Sequence, residues 1–123
     1  MNQQEFTDAF GPGSTIRLGS WSVESGREDL VTCRATIAYA DRIMSLQAQA
    51  TGPIGAMTSM LNEIGAPVQI IRFHQRELDG MITTFLLCEH DDRQYWAYGN
   101  GQTGDEASVN ALIAGANRLL DSA

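Results

Sequence analysis

The side chains with the most chemical potential in this chain are few. Cys88, Glu89, His90, Asp91 and Asp92 follow one another and bring a thiol, an imidazole and three carboxylates together. On a strand, Cys88 and His90 fall on the same side, which is the beginning of a metal site. A structural zinc takes about four protein ligands and a catalytic one about three, whereas only two such residues stand here. A solvated turn is the preferred reading, and no metal ligand or cofactor is expected; a small enzyme or metal protein built on these residues ranks last. His74, a lone histidine on a strand, reads as hydrogen-bonded structure. Ser20, Ser45 and Ser59 lack the glycine-flanked elbow of a hydrolase nucleophile, and Asp79-Gly80 is a hairpin signal. All eight basic residues are arginines, so Schiff-base chemistry and a Walker-type phosphate lysine are excluded. No catalytic residue is assigned, and the chain is read as not an enzyme.

A different chemistry is offered by the backbone. At Gly52-Pro53-Ile54-Gly55-Ala56 a strand turns into a helix with proline in the first turn. The opening amides of a helix have no intrahelical partner, and its dipole favours an anion there. Gly52, Gly55 and Ala56 admit close approach of a small ligand. On this sequence alone, simple packing of small residues against a sheet is the preferred alternative. The second helix, from about Asp105 to Leu120, starts with Thr103, Asp105 and Glu106, which supply their own caps and negative charge. Of the two helix starts, only the one at Gly52 suits a carboxylate.

The elements that place these starts repeat. Strand-like alternation at Thr15–Val23 slips phase at Gly19, which predicts a bulge. Val31, Cys33, Ala35, Ile37 and Tyr39 alternate strictly, Ala40-Asp41 turns the chain, and Met44–Ala50 continues the alternation. Ile54, Met57, Met60, Leu61 and Ile64 then recur at helical spacing up to Gly65. The second half follows suit: strands at Val68–Gln75, Ile82–Glu89 and Arg93–Tyr98, a turn at Gly99-Asn100-Gly101, and a helix with Val109, Leu112, Ile113, Ala116, Leu119 and Leu120 on its apolar stripe. The fold class is therefore α+β, a duplicated βββα unit with antiparallel three-stranded sheets. Residues 1–13 read as a linker-like segment in which Met1–Phe10 forms a short helical turn. Residues 14–123 form one domain, divided into repeats 14–65 and 66–123. Two such sheets exceed what two helices cover, so a homodimer is expected.

A net charge of −7 over 123 residues argues against nucleic acid. No apolar run spans a bilayer and the N-terminus lacks a signal peptide, so a cytoplasmic protein without a membrane partner is expected. Cys33 and Cys88, each inside a strand, read as small core residues.

The turn Ala50-Thr51-Gly52-Pro53-Ile54-Gly55-Ala56-Met57, the segment Ile64–Phe73, the run Tyr95–Gly99, and Ala107-Ser108 with Ala116-Asn117-Arg118 together carry a resemblance. They are similar to the C-terminal regulatory, or allosteric dimerisation, domain of 2-isopropylmalate synthase, shared by citramalate synthases. Phe6–Phe10 resembles the tail of the linker that precedes it. The resemblance implies a dimer that binds leucine or isoleucine between its subunits, with catalysis in a separate barrel that this chain lacks. That barrel would have to come from a separate catalytic subunit, because an allosteric effect requires a second site. The resemblance also implies ligand contacts at Gly52, Pro53, Ile54, Gly55 and Ala56. Ile70 and Phe73 follow, with Met81 and Thr83 as lesser positions. The chain departs from the family at Ala50-Thr51, where Gly-Asn is usual, and at Phe73-His74. The altered turn at Ala50-Thr51 favours the second reading, a structural dimerisation module of the same fold that has lost sensing.

Overall fold

The structure, a computed structural model, describes residues 16–121. The segment 1–13, with its expected helical turn, lies outside them. Two antiparallel sheets of three strands follow one another, β1-β2-β3 and β4-β5-β6, each ending in a helix. The first unit is β1 (Ile16–Ser25), β2 (Val31–Tyr39), β3 (Arg42–Ala50) and α1 (Pro53–Glu63). The second is β4 (Gln69–Leu78), β5 (Met81–His90), β6 (Arg93–Gly101) and α2 (Gly104–Asp121). This is the duplicated βββα fold that the alternation predicts.

Turn chemistry sets the registers. Asp79 and Gly80, and then Asp91 and Asp92, all have positive φ, the mirror-image turn that matches strand twist in a two-residue hairpin. Aspartate tolerates this backbone because its short side chain bonds locally. The bulge expected at Gly19 is present, as a register shift between Leu18 and Ser20. A second shift between Ile70 and Arg72 stands at the equivalent place in the other unit. In each unit it puts an aromatic residue next on the helix-facing side, Trp21 opposite Ala35 and Phe73 opposite Leu86.

One structural difference concerns Gly99-Asn100-Gly101. The sequence predicts a turn there, but all three residues remain in β6. The chain reverses after them, and α2 begins at Gly104. The glycines serve packing: a Cβ at Gly99 would stand 2.2 Å from the Ala111 amide nitrogen, and one at Gly101 2.6 Å from that of Ala107. Their missing side chains let α2 lie almost on the strand.

The core joins both units. Met57, Met60 and Leu61 of α1 meet Cys33, Ala35 and Ile37, while Val109, Leu112 and Ala116 of α2 meet Leu86 and Cys88, all in one buried cluster. α2 also reaches the first unit: the Asn117 side chain accepts from the Ile16 amide at 2.6 Å and donates to its carbonyl at 2.9 Å. At the other end of α2, the Gln75 amide group donates to Thr84 Oγ1 at 2.9 Å and to the Gly104 carbonyl at 3.3 Å. These bonds hold the edge strand β4 to the start of the helix. Among the described residues no helix is long and apolar enough to cross a membrane.

Candidate functional site

The two helix starts differ as the sequence predicts. At α2, Thr103 caps with its side chain, its Oγ1 accepting from the Glu106 amide at 3.1 Å, and its carbonyl accepts from Ala107 at 3.1 Å. Asp105 and Glu106 add acid in the first turn. That end is closed to an anion by its own groups.

At α1, Gly52 is the N-cap, with no side-chain cap and no acid in the first turn. Its carbonyl accepts from the Ala56 amide at 3.2 Å, so the amides of Ile54 and Gly55 precede the first α-helical bond and point outward. Gly52 is extended, with φ −166° and ψ 169°, a backbone that any residue adopts. A Cβ there would meet nothing within 4 Å. Neither conformation nor packing within the protomer calls for glycine at this place, in contrast to Gly99 and Gly101. What the missing side chain does is leave room in front of two free amides.

The second helix has a bearing on this end. The C-terminal sides of both helices lie together, since Gly65, Ala66 and Pro67 line one cavity of about 240 Å³ with Ala116, Leu119 and Leu120. The helices also pack against each other. They therefore run the same way, with both starts toward one end of the molecule. The hydrogen bonds of Asn117 to Ile16, which pairs with Tyr39 at the far end of the first sheet from Ala50, agree with this direction. Burial raises the Cys33 pKa, and the Asp105 carboxylate adds to the rise. Cys33 pairs with Ala48, two residues before the end of β3. A cationic group near the α1 start would thus find acid on its neighbour. Sequence reasoning used Asp105 and Glu106 only against an anion; that Asp105 reaches electrostatically to Cys33 of the first sheet is a tertiary fact that no local pattern carries.

The remaining candidates divide by face. Ile54 and Ile70 are partly buried against the core cluster, and Ala56 is fully buried. Phe73 points to the helix side of its sheet, opposite Leu86, yet is 53% exposed. Thr83 occupies the opposite face, where its Oγ1 donates to Asn100 Oδ1 at 2.7 Å, and Met81, two residues earlier, shares that face. Within one protomer α1 packs on β2 and β3, so Phe73, Met81 and Thr83 belong to the other sheet.

Cys88 and His90 part ways. Cys88 is fully buried beneath α2, where a Cβ at Gly115 would fall 2.4 Å from its Sγ. His90 lies at the surface with Nε2 3.3 Å from an Asp91 carboxylate oxygen. Burial pushes the Cys88 thiol up to about 11, so it stays protonated and unreactive. A thiol reagent at pH 8 is expected to label neither cysteine in the native protein and both in denaturant; rapid native labelling counted by mass spectrometry would contradict this packing. As the folded thiol titrates above the unfolded one, its contribution to stability is full below pH ~9 and falls as pH rises toward about 11.

Residues 3–120 match the family model described as the LeuA allosteric (dimerisation) domain. The chain belongs to this family. Among curated relatives, 2-isopropylmalate synthase of Arthrobacter sp. (strain FB24) is 24% identical over 131 residues, which cover 98% of this chain and 23% of the relative. The enzyme of the same name from Sodalis glossinidius (strain morsitans) is 26% identical over 125 residues, covering 96% and 22%. That from Pseudarthrobacter chlorophenolicus is 24% identical over 119 residues, covering 94% and 21%. The chain therefore spans less than a quarter of the length of these relatives, and it matches their regulatory region.

Proposed function

We propose that this domain binds leucine or a related branched-chain amino acid, with the carboxylate at the α1 start, as a homodimeric regulatory module. The observation that carries the reading is Gly52: a glycine that the protomer's own fold does not need, in front of two unpaired amides. An α-amino acid is a zwitterion, and the arrangement suits both charges. The amides of Ile54 and Gly55 take the carboxylate, and the acidic first turn of α2 favours the ammonium at the same end. Ile54, in the first turn of α1 and partly buried against the core, offers aliphatic surface for the side chain. The family description supports an allosteric role. Such a role couples the effector to a catalytic subunit, the 2-isopropylmalate synthase activity named for the relatives.

Titration calorimetry of the protein against leucine, isoleucine and valine is expected to give saturable heat with at least one, and none with 4-methylpentanoate, which lacks the ammonium. Absence of heat with all three amino acids would leave the domain a structural dimerisation module, the reading that the Ala50-Thr51 departure favours. Equal affinity for 4-methylpentanoate would remove the acidic turn of α2 from the site.

A further inference from the structure

We propose that the free edge of β6 captures an extended, acidic segment of another protein, which adds to the second sheet as an antiparallel fourth strand along α2. This edge is separate from the α1 start, and the proposal stands without the amino-acid reading.

The backbone is prepared for such a strand. The Asn100 carbonyl accepts from Asn110 Nδ2 at 2.9 Å, so it points away from β5. Outward groups recur at every second residue of an antiparallel strand, and the N–H and C=O of Tyr98 and Trp96 therefore point the same way. Among the described residues β6 has no strand neighbour except β5, and nothing takes up these outward groups.

The other half of the repeat serves as a control. β3 and β6 are the matching last strands, Arg42–Ala50 and Arg93–Gly101, of 9 residues each. Where β3 presents Ser45 and Gln47, β6 presents Trp96 and Tyr98, which are 50% and 63% exposed. The opposite edge of the second sheet, β4, is guarded against strand addition by its bulge at Ile71 and by exposed Arg72, His74 and Arg76. From Gln94 to Gly101, β6 holds no charge. An apolar, unguarded edge is a template for an incoming strand.

The wall beside that edge specifies the chemistry of the newcomer. Trp96, Tyr98, Gly99 and Asn100 line a groove of about 380 Å³ with Ala114 and Arg118 of α2. α2 runs antiparallel to β6: Gly101 lies against Ala107, Gly99 against Ala111, and Ala97 against Gly115. A strand added to β6 therefore follows the helix. Its alternate residues, about 6.8 Å apart, match the spacing of Ala114 and Arg118, about 6 Å along the helix. One inward side chain then stands over Ala114 and must be small, and the next meets the Arg118 guanidinium. Arg118 lies 5.0 Å over the Tyr95 ring and has no carboxylate partner among the described residues. No acid lines this groove or the adjoining one on the other side of Ala114, although the chain has 15 acidic residues against 8 basic ones. Complementarity at Arg118 thus calls for a carboxylate. The outward side chains, beside Trp96 and Tyr98, are apolar.

The test is a titration of the isotope-labelled full chain with the capped peptide Ser-Asp-Val-Ala-Val-Asp-Ser, followed by amide chemical shifts. Saturable shifts are expected at Trp96, Tyr98, Ala114 and Arg118 and not at Gly52 or Ile54. Arg118→Glu, an exposed change, is expected to weaken binding about tenfold or more, and lysines in place of the peptide's aspartates to restore it. The same peptide N-methylated at both valines, which lie opposite Trp96 and Tyr98 in the added strand, is expected not to bind. Absence of shifts at millimolar peptide overturns the proposal, as does unchanged affinity with Arg118→Glu or with the methylated peptide. Oligothymidylate that binds the same amides as tightly would assign the edge to single-stranded nucleic acid, and dissociation of an oligomer by the peptide in sedimentation equilibrium would assign it to a second copy. Either result overturns the proposal.

Discussion

Gly99→Ala is expected to lower the Tm by on the order of 20 °C or to abolish cooperative folding. A single methyl group is normally a minor change, but here its Cβ would lie 2.2 Å from the Ala111 nitrogen, 2.6 Å from the Asn110 carbonyl carbon and 2.7 Å from the Ala107 oxygen. These are backbone atoms in the middle of a buried helix, so no rotamer change relieves the overlap. Relief requires α2 to lift from β6, which would open the cluster of Val109, Leu112 and Ala116 over Leu86. Overpacking costs typically ~1–3 kcal/mol where side chains yield, and more where backbone must move. A loss above ~4 kcal/mol approaches the whole stability of a small domain, about 5–15 kcal/mol. Thermal unfolding followed by circular dichroism should show a fall in Tm on the order of 20 °C or no transition at all. A change of only a few degrees would mean that α2 does not press on this strand.

Gly52→Asp should act in the opposite sense on fold and function. The extended φ of −166° accommodates aspartate, and its Cβ meets nothing within 4 Å. Aspartate is a better N-cap than glycine by a few tenths of a kcal/mol to ~1 kcal/mol, and its charge suits the helix dipole. The variant should therefore be as stable as the parent or slightly more so. Its carboxylate would occupy the amides of Ile54 and Gly55 and repel another anion, and leucine affinity is expected to fall about 100-fold or more, ~2.7 kcal/mol or above. Thr103→Asp at the other helix start, where a cap already exists, should not weaken affinity. Retained binding in Gly52→Asp with a raised Tm would remove the α1 start from the site.

Much of this was legible from residue patterns because each pattern is local. Val31–Tyr39 alternates, so β2 and its buried face of Cys33, Ala35 and Ile37 follow from side-chain period alone. Asp79-Gly80 fixes a hairpin because the backbone it requires is one that few residues adopt. The contrast between Gly52 and Thr103 is equally local, a matter of which side chain stands before each helix. What the pattern misreads is Gly99–Gly101. Glycine signals both a turn and a close approach, and only the position of α2 separates the two. The bulge at Ile71 is missed for a related reason: Gly19 breaks an alternation visibly, whereas Ile70 and Ile71 are both apolar and conceal the slip. The division of Phe73 from Met81 and Thr83 across the sheet follows from that hidden bulge and from pairing, so linear proximity to a site says little about sharing it.

The two copies of the repeat thus end their strands in chemically unequal helix starts. One opens its helix with bare amides, and the other seals the matching position with a threonine hydroxyl and two acids. Doubling the unit did not double the open helix start. On the proposed amino-acid reading, occupancy at helix starts is one small molecule per polypeptide, and a two-chain assembly would saturate at two equivalents rather than four.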